Sequence, residues 1–159
     1  MSATVAVCIP SIPPRADQLS RAIASVLAQD APVSELIVAF DMEREGHAAT
    51  RNRAWRSATS EWIAFLDDDD ELDTHHVSTL LKLADESQAD IVFSWHRILQ
   101  NGSPANDILN GRYINDADIA AELEKGNFIP VTVLVKREML EKVGGFPKPL
   151  SEDLSLIHI

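Results

Sequence analysis

Five apolar residues, Trp62 to Leu66, run without interruption into four consecutive aspartates, Asp67 to Asp70. An apolar run of that length, rich in large side chains and ended abruptly by charge, reads as a strand buried on both faces of a parallel sheet. The aspartates then stand at the strand's carboxyl end, where the strand-to-helix loops of an open α/β sheet diverge and leave a ligand crevice. Carboxylates a few ångströms apart repel, raise one another's pKa and invite a cation. Hard divalent ions such as Mg²⁺ or Mn²⁺ prefer oxygen ligands and relieve that repulsion. The alternative, a solvated acidic loop, stays open, although a purely solubilising run has no reason to sit at the mouth of a sheet.

The rest of the chain alternates around this junction. Val5 to Ile9 is a short apolar run rich in β-branched residues, and Pro10-Ser-Ile-Pro-Pro14 follows it, as a first strand and a rigid loop would. Leu19, Ile23, Val26 and Leu27, with Ala22 between, fall on one face of a helix over residues 16–28. Leu36 to Phe40 reads as a second buried strand that delivers Asp41 to the same edge as the aspartate run. The stretch 47–58 is rich in helix formers, with Ala54, Trp55 and Ala58 as its packing face. Arg51 on that helix is placed either to meet a phosphate or nucleobase edge near the helix N-terminus, or to lie on a solvated face.

Asp73 or Thr74 is positioned to cap a helix running to Ser87, with Val77, Leu80, Leu81 and Ala84 inward. His75 and His76, adjacent in its first turn, make a poor metal pair and read as surface residues. Ile91 to Trp95 supplies a fourth strand, and the alternation of strand and helix is that of a wound parallel sheet. Asn101-Gly102 signals a turn, Asp118 to Lys125 a short helix, and Phe128 to Val135 a strand with Pro130 near its start, hence at an edge or in a first-residue position. A helix over Arg137 to Val143 should stop at Gly144-Gly145.

Composition removes several classes of function. At 159 residues, 45% hydrophobic and 25% charged, the chain has the size and make-up of one globular domain, and no segment approaches the roughly 18 apolar residues of a membrane span. The net charge of −11 and the scattered Lys and Arg leave no basic stripe for nucleic acid. The N-terminus lacks the basic flank of a secretory signal, and the single cysteine, Cys8, lies in the first apolar run as a small core residue, so a reducing cytoplasm fits. There is no Gly-x-Gly-x-x-Gly after the first strand, no Gly-Lys-Ser/Thr loop, and no visible nucleophilic Ser or Cys constellation.

Several strings stand in a telling order: Ile9-Pro10, Ala22-Ile-Ala-Ser-Val-Leu-Ala-Gln29, Asp41, Thr50-Arg51-Asn52-Arg53-Ala54, Phe65-Leu66-Asp67-Asp68-Asp69-Asp70, Gly144-Gly145-Phe146 and Ser151-Glu152-Asp153. Over residues 5–153 the chain thereby resembles the family 2-like glycosyltransferases with a GT-A fold. The resemblance implies an α/β, Rossmann-like domain with a mostly parallel central sheet flanked by helices. Residues 1–100 would form the nucleotide-sugar-binding half and residues 101–159 part of the acceptor side.

It also implies residue roles. Asp41 would contact the nucleotide base, although Met42-Glu43-Arg44 departs from the family's usual Asp-Asp-Gly-Ser. Pro10, Asp41, Arg51, Asp67 and Asp68 would hold the nucleotide, and Asp67 and Asp69, matching Asp-x-Asp, would face the ribose and a diphosphate-bound Mn²⁺ or Mg²⁺. Asp153 would be the general base of an inverting transfer from a nucleotide-diphosphate sugar to a glycan, lipid or protein acceptor. The chain stops six residues after Asp153 and reads as a fragment, with His158 not a metal ligand. The rival expectation is a nucleotide-sugar-binding or scaffold domain without turnover, its acceptor half being incomplete.

Overall fold

The structure, a computed structural model, describes residues 3–100, 103–104 and 131–147. Three parallel strands carry its frame: β1 (Val5–Ser11), β2 (Glu35–Phe40) and β3 (Trp62–Phe65). A single 3-10 turn at Pro13–Arg15 leads into α1 (Ala16–Leu27), α2 (His47–Ser57) connects β2 to β3, and α3 (His76–Ser87) leads to β4 (Ile91–Phe93). Short strands β5 (Leu99–Gln100) and β6 (Ser103–Pro104) pair with each other, and β7 (Val133–Lys136) runs directly into α4 (Arg137–Val143). The main sheet has the order β2-β1-β3-β7-β4.

All seven residues of β1 are buried, as a central strand requires. Alternation divides its side chains between two layers. Val5, Val7 and Ile9 join Leu19, Ala22 and Val26 of α1 and Val77, Leu80 and Ala84 of α3, whereas Ala6 and Cys8 join Ala54 and Trp55 of α2 and Leu140 of α4. β3 divides likewise, Trp62 and Ala64 to the first layer and Ile63 and Phe65 to the second. The result is a sheet covered by helices on both faces. Burial pushes the Cys8 thiol up to about 12, with the nearby Glu35 charge adding to the shift, which makes it an inert core residue.

Four expectations change. β7 lies inside the sheet, antiparallel to both β3 and β4, so the wound sheet is interrupted and no edge position is used. Leu134, fully buried, joins the α1 and α3 layer while Val133 and Val135 join the α2 layer, so β7 is buried on both faces. β2 conversely lies at one edge of the sheet, with most of its residues half-buried. Leu27 is turned out and 75% exposed, because the step of about 100° from Val26 carries it off the apolar stripe.

The fourth change concerns the histidines. α3 starts at His76, after a turn in which the Asp73 carboxylate accepts the His75 amide at 3.0 Å. Neighbouring helical residues point in different directions, so His75 is exposed and pairs with Asp30 at 2.7 Å while His76 is buried. Burial holds the His76 ring below its ordinary pKa. The expected turn at Asn101-Gly102 and helix at 118–125 fall outside the described residues, as does Pro130. No helix among the described residues is long and apolar enough to cross a membrane.

Candidate functional site

Parallel strands end on the same side, so β1, β2 and β3 deliver their following residues to one edge. A cleft of about 280 Å³ opens there, lined by Pro10, Ser11 and Ile12 after β1, Asp41 after β2, and Asp67, Asp68 and Asp69 after β3. Arg15, where α1 begins, and Gly46, His47 and Thr50, where α2 begins, complete it. The N-terminal end of α2 and the turn that leads into α1 therefore border a space that also holds carboxylates, an arrangement suited to an anion accompanied by a cation.

The aspartates of the run have separate environments. Asp68 is locked: its side chain is 4% exposed, one oxygen accepts Ser11 Oγ at 2.7 Å and the Ile12 amide at 3.4 Å, and the other accepts Arg15 at 2.9 Å. Burial acts to raise this carboxyl, but the hydrogen bonds from Ser11 and Arg15 outweigh it and hold it below its ordinary value. Asp69 is open, with a side chain 42% exposed and one contact to Arg15 at 3.1 Å. Asp67 lies between these extremes, 28% exposed and bound by Arg51 at 2.6 Å. The Asp70 carboxyl is raised, first by desolvation and then by repulsion from Asp67 and Asp69, with His96 opposing.

Arginines thus neutralise much of the repulsion within the run. Arg15 is held charged by its bond to Asp68. Arg51, 3% exposed, is neither on a solvated face nor on the cleft wall: it lies behind the cleft and reaches it through Asp67. Its guanidinium carbon sits 5.9 Å from the centre of the Phe146 ring.

Asp41 is arranged differently. Its two oxygens accept the amides of Glu45 at 2.8 Å and Gly46 at 2.9 Å, tying the loop that starts α2. Desolvation acts to raise this carboxyl, and those two amides with the Arg53 charge turn the balance downward. Each oxygen keeps a second lone pair for a ligand. Pro10, Asp41, Asp67, Asp68 and Asp69 are therefore gathered in one cleft, and Arg51 stands directly behind it. Asp153 lies outside the described residues.

Asp67 and Asp69 offer hard carboxylate oxygens with solvent access, which suits Mg²⁺ or Mn²⁺. Among the described residues no group of three His, Cys, Asp or Glu is gathered to hold a metal alone. Such ions are commonly bound through one or two carboxylates while phosphates and waters complete the shell, and the residues fit a site of that shared kind.

Sequence reasoning missed Ser11 and Arg15, for which the signal was a hydroxyl and a cation beside a proline-stiffened loop leading to an acidic run. It also left the purpose of the Ala22–Gln29 string unexplained. Ser25 Oγ accepts the Leu72 amide at 3.0 Å, and the Gln29 side chain donates to Asp73 O at 2.7 Å and accepts the Val77 amide at 3.0 Å. That string fastens the segment just after the aspartates to α1.

The model of glycosyl transferase family 2 matches residues 40–144. No curated protein matches the chain in sequence. Among solved structures the chain is similar to the mannosyltransferase PcManGT from Pyrobaculum calidifontis in complex with GDP-Man and Mn²⁺, with a TM-score of 0.67 and 19% identity over 93% of this chain and 48% of that one. It is likewise similar to S. aureus TarS 1–349 in complex with UDP, with a TM-score of 0.64 and 17% identity over 91% of this chain and 50% of that one. The TarS 1–349 complex with UDP-GlcNAc gives 0.64 and 15%. These likenesses establish the GT-A fold, and the chain spans about half the length of the structures it matches.

Proposed function

The chain belongs to glycosyl transferase family 2, and we propose that it serves in metal-dependent, inverting transfer of a sugar from a nucleotide-diphosphate sugar to an acceptor hydroxyl. The observation that carries this reading is the cleft at the carboxyl ends of β1, β2 and β3, where the start of α2 and the Arg15 guanidinium meet Asp67 and Asp69 with accessible oxygens. The complexes of structural neighbours with UDP, UDP-GlcNAc and GDP-Man support a donor of that class. Lone, buried Cys8 supports a reducing, cytoplasmic setting.

Each residue has a task in this reading. Asp41, at the end of β2, accepts from the nucleobase, and Pro10 with the Ser11 to Ile12 backbone shapes the floor beneath the nucleoside. Asp68 holds the loop after β1 against the loop after β3 through Ser11 and Arg15. Arg51 fixes the rotamer of Asp67. Asp67 and Asp69 present oxygens to the divalent cation that accompanies the diphosphate; that cation, when bound, stabilises the negative charge developing on the leaving group. Asp153 takes the proton of the acceptor hydroxyl as its oxygen attacks the anomeric carbon opposite the leaving diphosphate, which inverts that centre.

Calorimetric titration with UDP and with GDP, each with Mn²⁺ and with chelator, tests the site. Binding of one nucleotide that needs the metal and weakens by roughly tenfold or more in Asp69→Asn is the expected result. A folded chain that binds neither nucleotide refutes the site. Turnover of a donor sugar, abolished in Asp153→Asn, separates transfer from binding alone.

A further inference from the structure

Asn52 and Phe146 stand 94 residues apart and are joined at two points: Asn52 Nδ2 donates to Phe146 O at 2.8 Å, and the Phe146 amide donates to Asn52 Oδ1 at 2.9 Å. Trp55 Nε1 donates to the same Oδ1 at 2.9 Å, which fixes the amide's orientation. Between them lies Gly145, at φ +86°, where a Cβ would fall 2.3 Å from Asn52 Oδ1, so only glycine admits the approach. Arg56 adds a bond to Gly144 O at 2.9 Å.

The joint sets the position of one aromatic ring. Phe146 packs edge-on against Phe65 with centroids 5.0 Å apart, and Phe65 is the last residue of β3, two before Asp67. The same ring lies against the Arg51 guanidinium, whose NH2 group holds Asp67 at 2.6 Å. Arg51 Nε is buried and has no hydrogen-bond partner among the described residues. With that donor unpaired, packing against Phe146 has a larger share in deciding where the guanidinium points.

We infer that Asn52, Gly145 and Phe146 form a latch of positioning residues, by which the segment after α4 sets the Arg51–Asp67 pair and hence the carboxylate offered to the donor's diphosphate and cation. The latch rests on the proposed function for its consequence, while its geometry stands independently. It gives the two separated strings, Arg51-Asn52 and Gly144-Gly145-Phe146, one shared purpose. It also links the segment leading towards Asp153 to the donor cleft.

The test compares Phe146→Leu, Asn52→Ala and the milder Asn52→Asp with Leu140→Ala, which creates a cavity in the same helix-covered layer at a residue that makes none of the latch's hydrogen bonds. The first readout is the ¹⁵N resonance of Arg51 Nε–H and its solvent exchange, assigned by its loss in Arg51→Lys. We expect a slowly exchanging signal in the wild type and in Leu140→Ala, and faster exchange in the latch variants. The second is Mn²⁺-assisted UDP or GDP affinity at a temperature where all chains are folded, expected to fall roughly tenfold in the latch variants alone, the scale for losing a group that orients a metal-holding carboxylate. An Arg51 signal unchanged in every folded latch variant, or lost equally in Leu140→Ala, overturns the inference. If the wild type binds neither nucleotide, the proposed function fails, and the Arg51 signal still decides whether the latch exists.

Discussion

Two loops bring carboxylates to the same sheet edge and stabilise them in opposite ways. The loop after β3 relies on distant partners: Ser11 and Arg15 reach Asp68 across 57 and 53 residues, and Arg51 reaches Asp67 across 16. The loop after β2 relies on its own backbone, with the amides of Glu45 and Gly46 folded back onto Asp41. The first arrangement fails if any of several elements moves, whereas the second needs only its own backbone turn, with Arg44 at φ +57° and Gly46 at φ +91°. A site built from both has one wall tied to the whole domain and one wall that is locally self-sufficient.

The largest effect should come from Arg51→Ala. Breaking a buried ion pair from one side costs about 3–5 kcal/mol, and the partial exposure of Asp67 places this case near the lower end. Urea unfolding measures it, and a loss below about 1 kcal/mol would mean that the β3 loop does not depend on its distant partner.

Asp68→Asn comes next, at about 1–3 kcal/mol near neutral pH, since a buried acceptor of charge-assisted bonds is weakened. Its pH dependence has a definite sign. The folded carboxyl lies below its ordinary value of 3.8, so between the two values the unfolded chain binds more protons, and the stabilisation present above pH 4 is lost as the pH falls through the folded value. Wild type and Asp68→Asn should therefore differ in melting temperature at pH 7 and converge in strong acid. Curves that stay parallel over that range would contradict the assignment.

On the self-sufficient wall, Gly46→Ala meets no atom within 4 Å, so its effect is conformational only. At φ +91° and ψ 167° the backbone is in a region open essentially to glycine, which costs another residue on the order of 1–3 kcal/mol. Calorimetric unfolding should show a loss in that range without any change in the Arg51–Asp67 contact. The smallest effect belongs to Arg53→Ala: its ion pair with Glu45 is exposed on both sides, and such pairs contribute at most about 1 kcal/mol. A larger loss would show that the β2 loop is less self-sufficient than its amide bonds suggest.

The parts legible in the sequence share a physical character. β1 and β3 follow from unbroken apolar runs, and the faces of α2 and α3 from a periodicity of about 3.6 residues, both of which a local window displays. The end of α4 was legible too, because Gly144 at φ +82° is a local requirement. The gathering of Asp41 with Asp67, Asp68 and Asp69 followed from one further rule, that parallel strands present the same end.

What stayed hidden depends on contacts between distant segments. Nothing in Val133 to Lys136 states that it enters between β3 and β4 in the opposite direction, because pairing partners are chosen by the competition of all strands for cover. The same holds for Arg51, whose composition allowed a solvated face and whose burial required Phe146 and Asp67 to arrive from elsewhere. The sequence by itself determined the strands, the helices and the edge to which the carboxylates come, since those are settled by covalent neighbours. Only the tertiary structure decided which aspartate is locked, which is open and which residues hold them, since charge and packing act through space and take no account of distance along the chain.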